Sequence, residues 1–408
     1  PIFGPKSSWL CSTQESHFPR QIICLFEPRT MPSRTRSRAR SGPASSSAKP
    51  VPEDLPEVDL ADAGGADYTK RGLPNVTGSN CYVSTAVQLL AAVGQVRHWS
   101  MQRFCRCDGA TDRELTLARV VRYLAVGSKN PREAEEAMHA LNASIPEHFA
   151  DATKADDVSA VVTCFREVLD LRMKTPLFRT ELRKVVKWKC HSCNQEVVYP
   201  ATTNNCVFEE LPFTLFDGPD DHWNQPSGPP KKLDSEALLA FHKEDRIQDT
   251  ECPHCRATNC NVEATSTAEF KALGDVLIVT AQRTMMDKHG LQTGSRNERL
   301  IEAPSELLLH SDAGSVAFEF QGAAVHSGGG NGADGHWIGA LPEPGGGTIT
   351  NDSTVKKASL REMDRLRKMS SLLIYVRKGA VPGAGGSSRL TAMDVDGATS
   401  DEEDLHLL

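Results

Sequence analysis

Apolar residues recur at helical spacing in "CYVSTAVQLLAAVGQV", "RELTLARVVRYLAV", "PREAEEAMHALNA" and "DDVSAVVTCFREVLDLRM", which predicts a run of helices in the first half of the chain. From Trp188 onward the apolar runs shorten, turn β-branched and are separated by Gly, Pro and Asn. "QEVVYPATT", "DVLIVTAQRT", "GSVAFEFQGAAVH", "GHWIGALPE" and "SSLLIYVRKG" read as strands. The expected class is α+β, a helical subdomain followed by a mostly antiparallel sheet. The pattern fails at both ends. Residues 1–67 pass from mixed composition to an Arg-rich stretch starting at Met31, then Ser/Pro/Ala-rich and acidic sequence, and residues 379–408 are Gly/Ser-rich and then acidic. Such stretches bury too little apolar surface to offset their ordering entropy, so both are expected to be disordered arms, with Met31 read as the candidate start. No internal repeat of fixed period is evident.

Composition narrows the class. The 408 residues are 39% hydrophobic and 24% charged, with a formal net charge of -7. That balance argues for a soluble enzyme or scaffold and against a nucleic-acid partner, and no apolar run reaches membrane-spanning length. The opening stretch around "RQIICLF" is too short and wrongly flanked for a secretory signal. The expectation is therefore an intracellular protein, cytoplasmic or nuclear, with "SRTRSRAR" either a nuclear address or plain disorder. In a reducing compartment, twelve cysteines point to metal binding or catalysis rather than a disulfide framework.

Cys81 follows a run of turn and cap formers, Gly72, Pro74, Asn75, Gly78, Ser79 and Asn80, and precedes an apolar helix. It is expected at the helix N-terminus, where unpaired N–H groups favour a thiolate and lower the thiol pKa. A lone cysteine is more often packing than chemistry, so position alone does not decide. About 250 residues downstream, "GHWIGALPEPGGGTITNDSTV" offers the imidazole and orienting group that a thiol hydrolase needs. His336 heads a short strand after a Gly-rich loop. Asn351 and Asp352 come within reach if "HWIGAL" and "GGTIT" form a hairpin. His326 competes for the imidazole role, but a structural histidine is the better reading.

Two C-x-x-C pairs, Cys190/Cys193 in "KCHSC" and Cys252/Cys255 in "ECPHC", supply four thiolates, the usual set of a closed structural Zn2+ site. His191, His254, Cys206 and Cys260 lie nearby as substitute ligands, but the paired spacing does not require them.

Taken in order, these segments resemble the ubiquitin-specific protease family of cysteine deubiquitinases over most of residues 68–378. Gly72, Leu73, Asn75, Gly78, Cys81, Tyr82 and Gln88 recur from the family's cysteine box, "KADDVSAVVTCFREVL" is similar to its Q-D-A-x-E-F segment, and "SSLLIYVRKG" to its last core strand. The resemblance implies a papain-like fold with a thumb (about 68–175) and palm and zinc-bearing β fingers (about 176–378). It also implies a thiol hydrolase that cleaves the peptide or isopeptide bond after the C-terminal glycine of ubiquitin. Cys81 is then the nucleophile, His336 the base, Asn351 the orienting member with Asp352 behind it, Asn75 the oxyanion donor, and Asp157 a carboxylate meeting the basic ubiquitin tail. One extra residue between Asn75 and Cys81 brings Asn80 and Gln88 forward as substitute donors, and Ala160 stands where the family carries a glutamate. The implied partners are ubiquitin and ubiquitinated proteins, with no membrane or nucleic acid, and the chain is expected to be a monomer. The alternatives are a catalytically silent ubiquitin-binding scaffold, a protease for another ubiquitin-like modifier, and a zinc-ribbon nucleic-acid binder, which lacks the basic surface it would need.

Overall fold

The computed structural model describes residues 54–58 and 67–380 apart from 129, 131, 147–156, 173–176, 199–204, 218–227, 242–243, 248–249, 260–261, 287–291 and 329–334. Most of both expected arms, Met31 and most of the Gly-rich loop before His336 lie outside these residues.

The first half holds α1 (Cys81–Ala92), α2 (Gly94–Met101), α3 (Asp112–Val126), α4 (Glu133–Ser144) and α5 (Val158–Arg172). Every residue of α1 is buried, the polar Ser84, Thr85 and Gln88 included, and it packs on α3 and α5 and on the sheet. The pattern predicted one helix through Val96, but Val93 is extended and the chain restarts as α2. α3 begins with a capping box: the Thr111 hydroxyl accepts from the Glu114 N–H while the Glu114 carboxylate accepts from the Thr111 N–H.

The strands are β1 (Thr180–Lys189), β2 (Glu196–Val198), β3 (Asn205–Phe208), β4 (Leu211–Thr214), β5 (Lys231–Lys232), β6 (Glu244–Ile247), β7 (Thr250–Glu251), β8 (Thr258–Asn259), β9 (Val262–Ala272) and β10 (Val276–Gln282). There follow β11 (Thr284–Met286), β12 (Gln292–Arg296), β13 (Ile301–Glu302), β14 (Glu306–Ser311), β15 (Gly314–Ser327), β16 (His336–Glu343), β17 (Gly346–Asn351), β18 (Thr354–Ser359) and β19 (Leu372–Arg377). Two short helices, α6 (Ser235–Ala240) and α7 (Leu360–Met369), interrupt them. Sequence reasoning missed α7 because charge dominates it; only Met363 is buried, and the Ser359 hydroxyl caps it at 3.3 Å from the Glu362 nitrogen.

Among the described residues, thirteen strands form one sheet whose main path runs β18-β17-β16-β15-β14-β9-β1-β2, with β19 joining β15 to β10 and β10 pairing parallel with β4. Two apolar clusters lie against it. One joins the helices to Val276, Ile278, Ala324, Trp337, Leu341 and Ile374, and the other packs Phe213, Phe270, Phe318, Leu373 and Tyr375 among the strands. The β16–β17 hairpin pairs Gly339 with Thr350, and the β15–β16 ladder pairs Ser327 with His336. These two registers carry His336 and Asn351 to the same end of the sheet, where α1 begins.

β1 and β9 form a long antiparallel ribbon from Glu181/Ala272 to Trp188/Ala264. Its far end carries a small separate cluster of Trp188, Cys190, Val197 and Cys252. A core of that size is too small to hold the ribbon end by burial alone.

Candidate active site

Cys81 is the first residue of α1 and 3% exposed. Sequence reasoning expected a lowered thiol pKa there; the structure reverses this. Burial pushes the Cys81 thiol up and the Asp352 carboxylate adds to it, against the Trp337, Tyr82 and Cys81 N–H groups that favour the anion. Desolvation therefore exceeds the field of the helix terminus.

His336 Nε2 lies 2.6 Å from Asn351 Oδ1 and 3.8 Å from Asp352 Oδ2. An amide oxygen only accepts, so Nε2 carries the proton and Nδ1 is left as the basic nitrogen. The expected hairpin is present and delivers the expected pair. A regular strand would carry Asp352, one residue beyond Asn351, to the opposite face. Instead β17 ends at Asn351, Asp352 takes a left-handed turn conformation with φ 50°, and its carboxylate comes back toward the imidazole.

The same turn grips the cysteine segment. Asn75 Nδ2 donates to Asp352 Oδ2 at 3.0 Å, Asn75 Oδ1 accepts from the Asn80 N–H at 3.2 Å, and the Leu73 N–H donates to the Asp352 carbonyl at 2.9 Å. One Asn75 N–H remains for another acceptor. Gly72 is required here by closeness, since a Cβ would sit 2.4 Å from the Asp352 carbonyl oxygen. Burial raises the Asp352 pKa, while the Asn75 hydrogen bond and the positive charge available to His336 lower it. The substitute donors are less suitable. Gln88 is seven residues along α1 from Cys81, about 10 Å of helix, and lies beside Gly339; Asn80 and Gln88 are 2% and 1% exposed, with unpartnered amides sealed from solvent.

His326 stands apart from this set. Its ring meets Trp337 edge-on at 5.0 Å and fills the space a Cβ on Gly335 would need. Burial, then the charges of Arg296 and His336, lower its pKa to about 4, so it is neutral at physiological pH. Asp157 is exposed just before α5, where its Oδ1 accepts from the Ser159 N–H at 3.1 Å.

The four knuckle cysteines come together. Cys190 and Cys255 sulfurs are 3.6 Å apart, Cys193 and Cys252 sulfurs 3.7 Å, and all four lie within 4.8 Å of one another. A tetrahedron with Zn–S bonds of about 2.3 Å has edges of about 3.8 Å, so the spacing fits that ion. The two knuckles repeat one geometry. Asn194 and Arg256 are both left-handed, and each donates its N–H at 2.8 Å to the carbonyl of the first cysteine of its knuckle.

No family model and no curated protein matches the chain. Solved structures do. The SAGA Ubp8/Sgf11/Sus1/Sgf73 DUB module bound to ubiquitin aldehyde matches with a TM-score of 0.56 at 20% identity, covering 77% of this chain and 71% of that one. The module bound to monoubiquitin, with a cysteine-to-alanine change in Ubp8, matches with a TM-score of 0.56 at 19% identity over 77% and 71%. A yeast module carrying an Sgf73 variant gives 0.53, 19%, 77% and 70%. The fold resembles that of Ubp8. Those neighbours are multi-subunit assemblies and lend no support to the expected monomer.

Three features escaped sequence reasoning: the Trp337 N–H on the thiol and the Asn75–Asp352 bond within the site, and, away from it, a disulfide between Cys105 and Cys107. The first two join residues more than 250 positions apart and leave no local signal. The third had one, the C-x-C spacing itself.

Proposed function

We propose that this chain is a cysteine-type deubiquitinase that cleaves the bond after the C-terminal glycine of ubiquitin. The observation that carries the reading is the His336–Asn351 hydrogen bond at the end of the sheet where the Cys81 helix starts, in a fold like that of Ubp8. The division into thumb, palm and fingers and the papain-like architecture belong to the same proposal.

In this reading His336 Nδ1 takes the Cys81 proton as the sulfur attacks the scissile carbonyl, and Asn351 holds the ring with Nδ1 toward the thiol. The free Asn75 N–H, with backbone N–H groups at the start of α1, receives the charge that develops on the carbonyl oxygen. Asp352 fixes the Asn75 amide and faces the imidazolium. His336 then passes the proton to the leaving amine, and water activated by the neutral ring hydrolyses the thioester. Asp157 meets the basic tail of ubiquitin. Cys190, Cys193, Cys252 and Cys255 would hold Zn2+, which when bound supplies a crosslink that fixes the end of the β1–β9 ribbon.

The raised Cys81 pKa favours a second reading, a ubiquitin-binding scaffold with little turnover. Ubiquitin propargylamide separates the two, because only a competent Cys81 forms the adduct. Adducts with a different modifier's probe and none with ubiquitin would reassign the substrate.

A further inference from the structure

Away from the candidate active site, Cys105 and Cys107 are joined in a disulfide just before α3, and residues 54–58 dock beside it. Leu55 and Phe104 exchange two backbone hydrogen bonds at 2.8 and 2.9 Å, the Val58 N–H donates to the Met101 carbonyl at 2.9 Å, and Arg122 donates to the Pro56 carbonyl at 2.6 Å. Asp54 ends this strap. Its Oδ1 accepts from the Arg106 N–H at 3.0 Å, and its Oδ2 lies 3.3 Å from Cys105 Sγ.

A crosslink between residues two positions apart closes almost no loop, so it removes little entropy from the unfolded chain and is no structural staple. The Asp54 contact is the informative one. A disulfide sulfur carries no proton, so its lone pairs face a carboxylate without a bond between them. A Cys105 thiol at the same place donates to that carboxylate. Access is also unequal: Cys107 is exposed, whereas Cys105 is 6% exposed.

We infer that Cys105–Cys107 is a reversible thiol–disulfide exchange site for a small thiol of the glutathione class, with the reduced form favoured by Asp54. The incoming thiolate attacks the exposed Cys107 sulfur, the S–S bond breaks, and its electron pair goes to Cys105 Sγ. The Cys107 N–H, 3.1 Å away, supports that leaving thiolate until it takes a proton from water and donates to Asp54 Oδ2. A second reagent thiolate attacks the reagent's sulfur of the mixed disulfide, the bond to Cys107 breaks with its electron pair going to Cys107 Sγ, and that thiolate takes a proton from water, which leaves the protein with two thiols and the reagent as its disulfide. Reduction adds a hydrogen bond to the strap, so residues 54–58 are held more firmly in the reduced protein. This inference is independent of the reading of Cys81.

The test equilibrates the full chain in buffers of varied reduced-to-oxidised glutathione ratio, followed by differential alkylation and mass spectrometry of the peptide carrying both cysteines. The pair should titrate reversibly, with the mixed disulfide on Cys107. Asp54→Asn should demand about five- to tenfold more reducing buffer for half-reduction, the effect of losing one charge-assisted acceptor. Amide exchange at 55–58 should be slower in the reduced protein. The inference is overturned if both thiols stay free in oxidised buffer, if glutathione is found on Cys105, or if Asp54→Asn leaves the midpoint unmoved. It is equally overturned if the reduced chain binds a second zinc that Cys107→Ser abolishes, because the pair is then a metal site with Asp108.

Discussion

Asn75 and Asp352, 277 residues apart, are joined by a 3.0 Å hydrogen bond from amide to carboxylate, and that bond ties the segment before the Cys81 helix to the turn that follows Asn351. Its consequence is orientation. With Oδ1 held by the Asn80 N–H and one Nδ2 hydrogen held by Asp352, the Asn75 amide has a single direction left in which to donate.

Asn75→Ala should therefore lower kcat for ubiquitin-amide hydrolysis by about 10²-fold, the usual loss of one oxyanion donor. Asp352→Ala should cost less, roughly tenfold, and should cost less again in the Asn75→Ala background, because the larger part of its effect runs through that amide. Equal and additive losses in the double variant would show that the two residues work separately.

Asn351→Ala should be a partial loss. A neutral amide orients the His336 ring through its 2.6 Å bond but stabilises an imidazolium less than a carboxylate does. Asp352 lies 3.8 Å from the same nitrogen and can take over part of the orienting. Turnover of both single alanine variants and of the double measures this; a silent Asn351→Ala beside a crippling Asp352→Ala would give Asp352 the orienting role.

Cys81→Ala should abolish hydrolysis while ubiquitin binding persists, and His336→Ala should lose at least about 10³-fold. His326→Ala should be mild at neutral pH, since His326 packs on Trp337 and the Gly335 backbone and makes no bond to Asn351. Full turnover by Cys81→Ala, or a His326 variant worse than the His336 one, ends the assignment of the nucleophile or the base.

The fold class was legible because periodicity is local: the strands "DVLIVTAQRT" and "GHWIGALPE" and the helix from Cys81 all form where their apolar spacing put them. The His336–Asn351 pair was legible because a tight hairpin fixes register. What was not legible rests on depth or on distance along the chain. The thiol pKa is set by how deeply Cys81 is buried, the return of Asp352 depends on one left-handed residue, and α7 hides its face behind six charged residues among "LREMDRLRKM".

Elemental analysis of the pure protein should find one zinc held by Cys190, Cys193, Cys252 and Cys255. Replacing any one with serine, or chelating the metal, should loosen the far end of the β1–β9 ribbon and lower solubility. Hydrogen exchange at 186–198 and 250–264 would locate the change. Active protein without metal would reduce the knuckles to packing.

Acid should destabilise the fold through His326. The imidazole of His326 has a pKa lowered to about 4 by burial and by the charges of Arg296 and His336, against 6.5 when unperturbed. Between those values the unfolded chain binds the proton that the folded chain refuses, so stability rises with pH across this window. The contribution is complete above about 6.5 and is lost as pH falls toward 4. His326→Gln removes the titrating group, so its Tm should fall less than that of the parent between neutral pH and pH 4, whatever the absolute cost of losing the Trp337 contact. Glu343, whose pKa is lowered to about 2 by hydrogen bonds from Lys357, Thr69 and Thr348 that outweigh the cost of its burial, acts in a separate window below its ordinary 4.5. Parallel Tm curves for the parent and His326→Gln down to pH 4.5 would mean that His326 titrates as it does in water, and that its burial against Trp337 costs the charged form nothing.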